Sequence, residues 1–148
     1  MLKKIILMGA VACGKTTLTQ ALQGKVLDYD KTQTLQFHDN IIDTPGEYIL
    51  HRKFIQSLTV TSAEADVIAL VQSVTEQEQI FSVGFASMFP KKMIGIITKI
   101  DLAKSSKDID FVEQQLREAG VEELFQVSSL TKEGLNEIKA YLELEEGE

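Results

Sequence analysis

The chain has 148 residues, 44% of them hydrophobic and 25% charged, which is enough apolar material for one packed domain over 1–148 and too little length for two. A formal net charge of −7, with arginine only at Arg52 and Arg117, excludes a general nucleic-acid binder, which needs clustered cations. Cys13 is the only cysteine, so intramolecular disulfides and Cys-rich zinc sites are excluded and a reducing cytoplasm is the expected compartment.

In chain order, the run from Met1 to Met8 is too short for a signal sequence with its cleavage site. Its second half, Ile5 to Met8, is the first predicted strand and stops at Gly9. A helix is predicted over Thr16 to Leu22, and a short strand at Leu35 to Phe37 turns through Asp39-Asn40 into a second strand at Ile41-Ile42. A helix follows over Arg52 to Val60. Val67 to Val71 and Met93 to Ile97 are nearly continuous apolar runs, the pattern of strands buried on both faces. Phe81, Phe85, Met88 and Phe89 fall at helical spacing, either as core or as a partly exposed docking stripe. A helix is predicted over Ser105 to Ala119 with Gly120 as its stop, then a strand at Leu124 to Val127 and a helix over Thr131 to Leu144. Residues 143–148, with glutamate at 143, 145, 146 and 148, read as an acidic, frayed tail. No run approaches the roughly 18 apolar residues of a membrane span.

Strands alternating with helices predict an α/β fold, a three-layer sandwich around a mostly parallel sheet of about six strands. Ligands in such sheets bind beyond the carboxyl ends of the strands, and the motifs of this chain fall there.

Gly9-Ala-Val-Ala-Cys13-Gly14-Lys15-Thr16 fits G-x-x-x-x-G-K-S/T without a mismatch, after a strand and opening a helix. Its glycines let successive N–H groups converge on phosphate oxygens at a helix N-terminus. Lys15 is the candidate for the β- and γ-phosphates, the Thr16 hydroxyl for Mg2+, and Thr17 and Cys13 complete the nucleotide-facing set. Cys13 itself reads as a small, buried apolar residue. Asp43-Thr44-Pro45-Gly46 follows a strand and resembles the D-x-x-G element of Ras-like GTPases. Asp43 would hold Mg2+ through water, and the Gly46 N–H would sense the γ-phosphate. Thr98-Lys99-Ile100-Asp101 stands where the base-reading N-K-x-D motif is expected, with threonine in place of asparagine. Asp101 could accept from guanine N1–H and the 2-amino group, while the Lys99 stem lies over the ring. Threonine is shorter and lacks the amide, which puts one base and loop contact of the motif in question. Ser128-Ser129-Leu130 resembles the S-A-K element, where a backbone N–H faces guanine O6. Thr32 and Thr34 are the candidates for the threonine that closes on Mg2+ and the γ-phosphate.

Taken together, the segments G-A-V-A-C-G-K-T-T-L, K-T-Q-T, D-N-I-I-D-T-P-G-E-Y, D-V-I-A-L-V-Q, G-F-A-S-M-F and I-G-I-I-T-K-I-D-L resemble the ethanolamine- and propanediol-utilisation P-loop proteins, the EutP/PduV family, from Met1 to about Leu144. The resemblance implies a compact Ras-like domain that binds ATP or GTP with Mg2+. It also implies a place beside bacterial microcompartment enzymes, with a shell protein or enzyme as partner, and an ATP-dependent acetate kinase activity. Glu47 stands where Ras-like GTPases carry a water-orienting glutamine, so hydrolysis is expected to be slow, or Glu47 to act as a base. Arg52 reads as a surface cation on the following helix, with an arginine finger in cis as the alternative, and His38 and His51 read as structural or exposed residues. Three readings follow: a slow NTPase or switch, a phosphotransferase to acetate, and a binding module that a nucleotide merely stabilises.

Overall fold

The computed structural model describes residues 3–10, 13–22, 36–38, 41–44, 52–76 and 78–143. Each strand of the central sheet is set by an apolar run. These are β1 (Ile5–Met8), β2 (Gln36–His38), β3 (Ile41–Asp43), β4 (Val67–Ser73), β5 (Lys92–Thr98) and β6 (Glu123–Gln126). The spatial order is β2-β3-β1-β4-β5-β6. All neighbouring pairs are parallel except β2 with β3, which pair antiparallel with Phe37 opposite Ile42. The predicted hairpin therefore forms one residue later than expected, and its Asp39-Asn40 turn lies outside the described residues.

Four helices cover the sheet: α1 (Lys15–Leu22), α2 (Arg52–Ser62), α3 (Ser106–Ala119) and α4 (Leu135–Glu143). Alternation along the strands divides the core in two. Ile5, Leu7, Val67, Ala69, Ile94 and Ile96 pack with Leu18 and Ala21 of α1 and with Leu135, Ile138 and Leu142 of α4. Ile6, Met8, Ile68, Leu70, Met93 and Ile97 pack with Leu58 of α2 and Val112 and Leu116 of α3. Two cores on opposite faces of one sheet make the three layers that the alternating pattern predicts.

Ser105 caps α3 by accepting from the Lys107 N–H at 3.3 Å. At its other end, Gly120 donates to the Arg117 carbonyl and Val121 to the Leu116 carbonyl, the paired bonds of a Schellman stop. The last helix departs from expectation. It begins at Leu135 rather than Thr131, because the preceding residues fold into a turn: the Lys132 N–H bonds the Ser128 carbonyl, and Lys132 takes a left-handed conformation with φ 71°. The aromatic stripe is core. Phe81, Phe85 and Phe89 are buried and stack in sequence at 5.2 Å between ring centroids, whereas Met88 alone faces solvent. Only residues 85–88 form a helical turn there, of the tight 3-10 kind.

Leu116 is fully buried between α3 and β5, so Leu116→Ala should destabilise the fold by about 2–5 kcal/mol in urea or thermal unfolding. Val60 on α2 is 75% exposed, and Val60→Ala should stay within about 0.5 kcal/mol of the parent.

Candidate functional site

The site is built where the carboxyl ends of β1, β3, β4 and β5 meet. Behind Met8 the chain must turn sharply beside β4. At Gly9 there is no room for a side chain: a Cβ would run into the carbonyl oxygen of Val71 and would lie 2.7 Å from the Cys13 sulfur. Gly14 takes φ +96°, a conformation that residues with a Cβ rarely adopt. The Cys13 N–H closes the loop onto the Ala10 carbonyl at 3.2 Å, and Leu18 N–H to Gly14 O at 2.8 Å begins the α1 ladder. Cys13 is buried, as expected of a packing residue.

Lys15 opens α1 yet is only 6% exposed. Its side chain folds back over the loop, where the ammonium donates to Gly9 O at 2.9 Å and Ala10 O at 3.5 Å, 3.9 Å from Cys13 Sγ. The ammonium is thus held by neutral acceptors alone among the described residues. Thr16 and Thr17 follow in the first turn, each half-buried.

Asp43 ends β3 directly beside Leu7 of β1. The next residue, Thr44, is fully buried, and its hydroxyl donates to the Leu7 carbonyl at 2.7 Å. That bond fastens the D-x-x-G segment to β1 just before the phosphate loop. Sequence reasoning missed Thr44, because a threonine inside D-T-P-G carries no signal of its own. Thr44→Val keeps the shape and orphans the carbonyl. We expect it to lower stability by about 1–3 kcal/mol in chemical denaturation, and an unchanged midpoint would show the bond to be dispensable.

On the other side of the loop, β5 ends at Thr98, whose hydroxyl donates to the Cys13 carbonyl at 2.5 Å. The loop contact placed in doubt by the missing asparagine is therefore made. Lys99 adopts φ 59° and ψ 34°, left-handed for a non-glycine residue, and starts a short turn over Ile100–Leu102. Its Cε would lie 3.7 Å from a Cβ on Gly14, so the lysine stem runs beside the phosphate loop. Asp101 is exposed, and its Oδ1 accepts from the Ser128 hydroxyl at 2.7 Å. Ser128 is buried, and its oxygen also accepts from the Thr131 N–H at 3.1 Å. The two base-site candidates thus form one hydrogen-bonded unit, with half-buried Ser129 next to it.

Gly9, Cys13, Gly14, Lys15, Thr16, Thr17, Lys99, Asp101, Ser128 and Ser129 all stand at this end of the sheet or in the turns leaving it. Asp43 belongs with them by its backbone. Thr32, Thr34, Gly46, Glu47 and His51 lie outside the described residues. Arg52 opens α2, and His38 ends β2. Among the described residues, no group of three His, Cys, Asp or Glu could hold a metal, and no helix is long and apolar enough to cross a membrane.

Residues 2–144 match the protein family described as ethanolamine utilisation – propanediol utilisation, PduV-EutP. The propanediol utilization protein PduV of Citrobacter freundii is 40% identical over 145 residues, spanning 98% of this chain and 96% of that protein. The protein named "Probable acetate kinase EutP" of Escherichia coli K12 is 33% identical over 144 residues, spanning 95% of this chain and 89% of that protein. GTPase Der of Borrelia garinii subsp. bavariensis is 26% identical over 168 aligned positions, which take in 98% of this chain but 37% of that protein.

Proposed function

The chain belongs to the PduV-EutP family, and from that membership we propose that it binds ATP or GTP with Mg2+ and turns the triphosphate over slowly. The observation that carries this reading is Lys15: a buried ammonium held by backbone carbonyls at the mouth of a complete glycine-lysine loop. Burying a cation there is unfavourable unless an anion comes to it, and a triphosphate is the anion that the loop pattern fits.

Thr16, in the first turn of α1, and Asp43, at the end of β3, are the residues that would supply oxygen donors of the kind Mg2+ takes. Mg2+ bound with a nucleotide would need only one or two protein oxygen donors, so a cluster of three protein ligands is not required. When bound, the ion would offset charge on the β- and γ-phosphates. Lys15 holds the same oxygens, Gly46 donates its N–H to the γ-phosphate, and Thr32 or Thr34 closes the site. Glu47 replaces a water-orienting glutamine, and its carboxylate is repelled by the triphosphate, which keeps hydrolysis slow. Asp101, held by Ser128, matches the two donors of guanine, whereas adenine offers an acceptor at N1; this favours GTP.

A second reading is supported by the relatives named acetate kinase. There an acetate oxygen attacks the γ-phosphorus and the β–γ bridging P–O bond breaks, giving acetyl phosphate and the nucleoside diphosphate. Family membership links either reaction to ethanolamine or propanediol utilisation; on that link we propose a cytoplasmic location and a microcompartment shell protein or enzyme as protein partner.

Product analysis separates the readings. With Mg2+ and either nucleotide, diphosphate should form at well under about one turnover per second. Acetyl phosphate, trapped as its hydroxamate only when acetate is present, would mark the kinase. Phosphate release indifferent to acetate would mark the hydrolase. Asp43→Ala should lower turnover by roughly 10-fold or more while affecting nucleotide affinity less. If neither nucleotide yields diphosphate under any of these conditions, the catalytic proposal fails and a nucleotide-stabilised binding module remains.

A further inference from the structure

Thr98 joins three segments of the site. It is 2% exposed, its carbonyl accepts from the Val74 N–H at 2.9 Å after β4, and its hydroxyl donates to Cys13 O in the phosphate loop. A Cβ on Gly14 would lie 3.6 Å from its Oγ1, so the loop backbone is seated directly on this side chain. The left-handed Lys99 follows immediately and sends its stem along the same loop.

A threonine hydroxyl carries one proton, whereas an asparagine amide in the same place has two donor hydrogens and an acceptor to divide between base and loop. Here the single proton is directed at the Cys13 carbonyl. Purine N7 is an acceptor in adenine and guanine alike, so only a donor can recognise it. We infer that Thr98 is a positioning residue that latches the phosphate loop to the base loop, and that the site takes purine nucleoside triphosphates without a contact to N7. The inference rests on the nucleotide reading above and adds to it which part of the base goes unread. Base selection then falls to Asp101 and its Ser128 partner, while Thr98 sets the geometry in which the phosphates are held.

Calorimetric titration of the full chain with Mg2+ tests both halves. Wild type should bind 7-deaza-GTP and 7-deaza-ATP within about twofold of GTP and ATP, since no hydrogen bond to the N7 acceptor is lost. Thr98→Val removes the proton and with it the bond from β5 to the Cys13 carbonyl. Affinity for GTP, ATP and inorganic triphosphate should therefore fall by one common factor, roughly 5–10-fold. Thr98→Ser, which keeps the hydroxyl, should return to within about twofold of wild type. A loss of about tenfold or more for the 7-deaza analogues on wild type would overturn the inference, because N7 would then be read. So would a Thr98→Val variant that weakens GTP but leaves inorganic triphosphate unchanged. Should Thr98→Val not fold, the analogue comparison on wild type and the Ser variant decides alone. Wild type that binds no triphosphate at all would defeat the nucleotide reading itself, a result distinct from altered analogue preference.

Discussion

The site depends on how closely the backbone at Gly9 approaches the Val71 carbonyl. With no side chain between them, the backbone leaving β1 lies close against the end of β4. It closes on itself through Cys13 N–H to Ala10 O and enters α1 at Lys15. Among the described residues, the lysine ammonium meets the Gly9 and Ala10 carbonyls and the Cys13 sulfur. A side chain at residue 9 would displace strand backbone rather than a flexible neighbour, and the shift would carry into every group downstream.

Around that contact, side-chain hydroxyls do the fastening. Thr44 ties the start of the D-x-x-G segment to Leu7, Thr98 ties the phosphate loop to the end of β5, and Ser128 ties Asp101 to the turn after β6. Thr44, Thr98 and Ser128 are each nearly or fully buried. Each buried hydroxyl finds in this bond an acceptor for a proton that water cannot reach. The sheet supplies the rigidity they exploit, since its two cores hold β1, β4 and β5 from both faces. Loops at the strand ends can then be short and still keep their polar groups aligned.

Much of this was legible in the residues, and the reasons differ by element. The continuous apolar runs of β4 and β5 announced buried parallel strands, because both faces of such strands must be apolar. The phosphate loop was legible because its glycines and lysine are required by backbone geometry and charge at fixed offsets. The start of α4 was not, since Ser128 and Lys132 divert the chain into a turn through bonds that helical periodicity does not encode. The Thr98 tie and the Asp101–Ser128 pair were also out of reach. Each joins residues far apart in the chain, 85 and 27 positions respectively, and only the strand order brings them together. The spacing of Phe81, Phe85, Met88 and Phe89 pointed to core, with a docking stripe as the alternative; the three phenylalanines are buried and Met88 is exposed.

The central claim is that a nucleoside triphosphate binds at the Gly9–Thr16 loop through Lys15. Thermal unfolding with Mg2+ and increasing GTP or ATP tests it most directly, comparing wild type with Lys15→Ala. Wild type should gain about 2.7 kcal/mol of stability at 100 times Kd. Lys15→Ala should unfold cooperatively on its own and gain far less at the same nucleotide concentration. A wild type that shows no stabilisation with either nucleotide, or a Lys15→Ala variant stabilised equally, would contradict the account.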